Sequence, residues 1–139
     1  MLSQETKLKL SDLLIAVADF ERQVEIVRQI LCEQKEFEPY AAFKRIDRQR
    51  KGFLTGADIQ KFLADNHSHY SEKQAENLIN SYDYDEDGRL NYSEFLHSVL
   101  PMDNPALRAV TTQRPVYIIG SGENLPYDVE YSLTKLFDR

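Results

Sequence analysis

Residues 83–94 read Asp83-Tyr84-Asp85-Glu86-Asp87-Gly88-Arg89-Leu90-Asn91-Tyr92-Ser93-Glu94, and this stretch decides the fold. Oxygen-bearing side chains stand at its first, third, fifth, ninth and twelfth positions, with a glycine at the sixth, where a sharp turn needs a residue without Cβ. Three Asp and a closing Glu make a hard, anionic donor set. That suits calcium, which takes about six to eight oxygens at flexible distances, and no Cys/His cluster favours a softer metal. The flanks predict helices. Ala75, Leu78, Ile79 and Tyr82 recur at helical spacing before the loop, behind a Ser71 N-cap with Gln74 as its capping-box partner. After it, Phe95 and Val99 continue an apolar face that Pro101 ends.

A second copy lies thirty-six residues upstream, from Asp47 to Asp58. Gly52 matches Gly88 and Leu54 matches Leu90, while Phe43, Ile46, Ile59, Phe62 and Leu63 repeat the flanking pattern. The ligand chemistry is not repeated. Gln49 and Lys51 replace two carboxylates, Asp58 is one methylene shorter than Glu94, and Arg48, Arg50 and Lys51 bring charge that repels a dication. This loop is expected to be metal-free, retained because one helix-loop-helix alone leaves its core and short loop strand unpartnered.

Over residues 39–100 the chain resembles the EF-hand calcium-binding superfamily, the calmodulin-like proteins, with hand one at 39–66 and hand two at 71–100. The resemblance implies an all-α EF-hand pair and one Ca²⁺ per chain, with Mg²⁺ a possible competitor. Its ligands would be Asp83, Asp85, Asp87, the Arg89 carbonyl, Asn91 directly or through water, and Glu94 with both oxygens. Asp83→Ala should then act through the metal alone, leaving the calcium-free protein unchanged. The segments Phe37–Phe43 and Leu125–Tyr131 resemble protist EF-hand-pair proteins, some of them ciliary.

Outside the pair, residues 1–38 form an N-terminal arm whose Leu10, Leu13, Val17, Phe20, Val24, Val27 and Leu31 repeat at alternating spacings of three and four, predicting a long amphipathic helix. Leu14, Ile26 and Ile30 widen the stripe, and Asp19, Glu21, Arg22, Glu25 and Arg28 are left for solvent. The arm is expected to fill the cleft of its own hands in preference to forming a coiled-coil dimer, so a monomer is favoured. Residues 101–139 read as an extension: a short helix near Ala106–Val110, an extended run to Ile119, a turn at Gly120–Asn124, and a helix from Pro126 through Val129, Leu133, Leu136 and Phe137. That helix runs into the last residue, which leads to the expectation that the parent chain is longer.

The net charge of −6 and pI near 5.1 disfavour nucleic acid and acidic membranes as partners. A protein partner is expected, and a dedicated one, because only Met1 and Met102 are available and neither lies in the hands. Cys32 stands alone inside a helical pattern and reads as a buried structural thiol. With no apolar signal core, no spanning run and no Gly for myristoylation after Met1, the location is expected to be cytoplasmic, with cytoskeleton or cilium as refinements. His67-Ser68-His69 sits in a polar linker without zinc-like spacing, and no nucleophile elbow or phosphate loop appears, so no enzyme is expected. Two roles remain: a calcium-responsive regulator or adaptor, or a cytoskeletal or ciliary scaffold that calcium only stabilises.

Overall fold

The structure, a computed structural model, describes residues 4–138, with side chains from Asp19 onward; the predicted seam residues Leu10, Leu13, Leu14 and Val17 lie outside the described side chains. The described residues form seven helices: α1 (Gln4–Glu33), α2 (Pro39–Ile46), α3 (Gly56–Asp65), α4 (Glu72–Tyr82), α5 (Tyr92–Val99), α6 (Pro105–Thr112) and α7 (Tyr127–Phe137). The only extended pairing among them is one antiparallel bridge, Leu54 with Leu90, whose amides and carbonyls exchange two 2.8 Å bonds.

Each helix of the hands starts where its local chemistry directs. Glu38 caps α2 by accepting from the Ala41 and Tyr40 amides, with Pro39 next in line. Thr55 with Asp58, Ser71 with Gln74, and Asn91 with Glu94 form three reciprocal capping boxes that open α3, α4 and α5. Burial then selects the periodic apolar residues: Phe43, Ile46, Ile59, Phe62, Leu63, Ile79, Phe95 and Val99 share one cluster with Leu54 and Leu90.

That cluster extends past the hands. Val24, Leu31 and Cys32 of α1 join it, as do Ile119, Leu125, Val129, Leu133, Leu136 and Phe137. Two helices cover the pair: α7, whose Phe137 ring lies 6.5 Å from Phe95, and the second half of α1, whose Cys32 thiol donates to the Val99 carbonyl. The expectation that α1 packs on its own hands is met by its described half, and α7 shares that place. Ile26, Ile30 and Phe20 are each half exposed, so the described half of α1 buries a narrow stripe, while α7 buries an entire face.

Glu25 and Arg28 depart from expectation, since both are buried. The Glu25 carboxylate accepts from the Met102 and Asp103 amides, and Arg28 donates to the Ser98 carbonyl at 3.1 Å and to the Tyr82 hydroxyl at 2.7 Å. A charged side chain is buried here because loop backbone supplies its partners. Arg114 does the same service for the end of α1, which has no basic residue in its last turn: its guanidinium donates to the carbonyls of Cys32, Gln34 and Phe37.

On the opposite side, α7 is pinned to hand one. Glu130 meets the fully buried Arg45 through two bonds, 2.8 Å from Nε and 3.0 Å from Nη2, and also accepts from Asn66 Nδ2 and the Leu125 amide. The Arg45 guanidinium lies 4.9 Å from the Phe62 ring centre. Between α1, α4 and the end of α7 an open groove of about 710 Å³ remains, lined by Phe20, Val24, Leu78, Tyr82 and Leu136. No described helix is long and apolar enough to cross a membrane.

Candidate metal centre

Loop two is a closed turn before any ion is considered. Asp83 ends α4 and accepts from the Asp87 amide at 3.2 Å and the Gly88 amide at 2.7 Å. Glu86 and Gly88 take left-handed φ of 57° and 81°, and the second is the position where the sequence provides glycine. The chain then pairs at Leu90 and enters α5, where Asn91 caps the Glu94 amide and Glu94 accepts from Asn91 N at 3.0 Å. The other Glu94 oxygen reaches across the loop to the Asp85 amide at 3.3 Å.

One oxygen from each of Asp83, Asp85, Asp87 and Glu94 lies within 4.8 Å of the others. It is the single such grouping of at least three His, Cys, Asp or Glu among the described residues, so the linker histidines do not assemble one. Four carboxylates that close repel one another. Asp85 is pushed up to about 6, first by its hydrogen bond with Asp83 and then by desolvation and Asp87. Asp87 moves down: desolvation, the largest influence, pushes it upward but is outweighed by hydrogen bonds from the Arg89 amide and guanidinium. The donor set is hard, anionic and fitted to a divalent oxygen-seeking cation.

Loop one repeats the backbone. Asp47 accepts from the Lys51 amide at 3.0 Å and the Gly52 amide at 2.8 Å, and Arg50 and Gly52 take φ of 56° and 87°. At its centre, however, the Lys51 ammonium sits 2.8 Å from Asp58 Oδ2. Arg48 and Arg50 turn outward, Arg48 donating to the carbonyls of Ser121 and Glu123 and Arg50 to that of Ile119. Their sequence reading was charge that repels a dication; their visible work is holding the 119–124 turn against hand one.

The loops, the bridge and the paired hands agree with what the chain resembles. Residues 36–100 match the description EF-hand domain pair. They are an EF-hand pair. The chain is 33% identical over 66 residues to the calcium-binding protein LPS1-alpha of Lytechinus pictus, covering 46% of this chain and 20% of that protein. It is 33% identical over 72 residues to the essential light chain of striated adductor muscle myosin of Argopecten irradians, covering 50% and 46%. Calcium-binding protein E63-1 of Drosophila melanogaster matches at 38% over 60 residues, covering 43% and 31%. The chain thus spans less than half the length of the curated relatives it matches.

Two features of the EF-hand loops escaped sequence reading. Asn91 and Glu94 are also the capping box of α5, and Thr55 with Asp58 that of α3; the S/T/N-x-x-D/E spacing was present but absorbed by the ligand reading. Tyr84 is exposed, whereas Tyr92 turns inward against Tyr40 and Phe43, with ring centres 5.3 and 5.4 Å away.

Proposed function

We propose that this chain binds one calcium ion, at Asp83, Asp85, Asp87, the Arg89 carbonyl, Asn91 and Glu94, and works as a calcium-responsive regulator or adaptor of a protein partner. The observation that carries the reading is the convergence of four carboxylates on one point of an EF-hand loop already shaped by Asp83 and Gly88. When bound, calcium would supply the positive charge that relieves their mutual repulsion. Glu94 stands at the first turn of α5 beside Phe95, whose ring touches Phe137, so the closing ligand is one residue from the contact between hand two and α7. A protein partner of cytoskeletal kind is supported by the relatives named as myosin light chains, and nothing in those names supports a cilium. The relatives carry calcium-binding and light-chain names, which supports a non-enzymatic role.

The scaffold reading has its own support, because α7 already occupies the apolar face of the pair and Glu130 locks it there. Hydrogen exchange with and without calcium separates the two. Protection changes that reach α7 and the Val24–Leu31 half of α1 favour regulation; changes confined to 83–94 favour a scaffold.

A further inference from the structure

The two loops close by different means. In loop two an acid stands at the fifth position, Asp87, and a long acid at the twelfth, Glu94, whose second oxygen spans the loop to the Asp85 amide. In loop one the twelfth residue is the shorter Asp58, which accepts from the Thr55 amide and hydroxyl as a cap. No bond from its carboxylate to Gln49 corresponds to the one between Glu94 and Asp85. The gap is crossed from the other side: the fifth residue is Lys51, and its ammonium reaches Asp58 Oδ2 at 2.8 Å in a partly buried pair. A long base and a short acid replace a short acid and a long acid, and the loop's charge is balanced from within. Of the three cations in loop one, Lys51 alone is aimed at Asp58, since Arg48 and Arg50 are spent on the 119–124 turn.

We propose that the Lys51 ammonium is the resident cation of hand one, a tethered charge doing for that loop what a metal ion would do. Hand one then keeps a single state, whatever the calcium level. It also carries Arg45 and Asn66, the residues that hold Glu130 of α7. The Glu130 end of α7 therefore stays docked at all calcium levels, and on the reading of loop two given above, the Phe137 end against α5 is the part left to respond.

The test is run in chelator, so that it stands apart from calcium binding by loop two. Backbone exchange is measured at Lys51 and Gly52, whose amides donate to Asp47 within loop one, in the whole chain, together with the ¹⁵N signal of the Lys51 ammonium. Lys51→Met and Asp58→Asn should each speed exchange by about fivefold, the size of a partly exposed ion pair, and the double variant should exceed neither. Adding calcium to the wild type should leave both amides unchanged. Lys51→Asp with Asp58→Glu, which removes the tethered charge and restores reach, should take up a second calcium. The proposal is overturned if Lys51→Met exchanges at the wild-type rate, if the two single effects add in full, or if the wild-type Lys51 and Gly52 amides gain protection from calcium. Failure of the loop-two reading would appear separately, as a wild type that takes up no calcium.

Discussion

Glu130→Gln puts the tie between the EF-hand pair and α7 to the test. Arg45 is 1% exposed and keeps two bonds to Glu130; its other carboxylate partner, Asp65, stands at 3.4 Å and is one-third exposed. The amide keeps the shape but removes the charge and turns a donor toward a guanidinium that can only donate. Breaking one side of a buried pair costs about 3–5 kcal/mol, and the surviving Asp65 contact places this case near the lower end, about 3 kcal/mol. That is a large share of the roughly 5–15 kcal/mol holding a domain of this size together. In urea denaturation the midpoint should fall at unchanged slope. Arg45→Met with Glu130→Leu, which removes both charges, should recover only part of the loss, because an apolar pair needs no desolvation while the Leu125 amide and Asn66 lose their acceptor. A Glu130→Gln protein within about 0.5 kcal/mol of wild type, the range of ordinary surface changes, would refute the reasoning.

Asp83→Ala removes the acceptor of the Asp87 and Gly88 amides, so it should lower the melting temperature in chelator as well as in calcium, with the larger loss in calcium. Equal melting in chelator would restore the metal-only expectation. Because Asp85 titrates near 6 in the calcium-free loop and the ion requires it charged, calcium affinity should fall as pH drops below about 6, with proton release on binding measurable by calorimetry in two buffers. Glu25 lies below its ordinary value of 4.5: burial pushes it up, but bonds from the Met102 amide, Gln29 and the Asp103 amide, with Arg28 nearby, outweigh burial. Its contribution is thus fully present above about pH 4.5 and lost as pH falls through the lowered value, so wild type should lose stability more steeply below 4.5 than Glu25→Gln.

The loops were legible because coordination fixes residue chemistry at set positions, and the helices of the hands because Phe43, Ile46, Phe62, Ile79 and Phe95 keep helical spacing. The α4 capping box was legible for the same local reason. What escaped was non-local. Arg45 and Glu130 are 85 residues apart, and neither position signals that the other will neutralise it. Glu25 and Arg28 look like solvent charges on an amphipathic helix; only the docking of the Ser98–Asp103 backbone makes their burial tolerable. The end of α1 did offer a signal, since its last turn holds no basic residue, yet nothing in the chain names Arg114 as the donor that satisfies it. That α7 shares with α1 the place against the hands is likewise a matter of which apolar face reaches them, and periodicity describes the faces without placing them.

Calcium titration by calorimetry, with Glu94→Gln beside the wild type, tests the central claim most directly. One ion per chain for the wild type and none for the variant are expected, because Glu94 is the closing carboxylate of the only loop with a full oxygen set. Two ions of comparable affinity, or binding that survives Glu94→Gln, would contradict the assignment of the site to Asp83–Glu94.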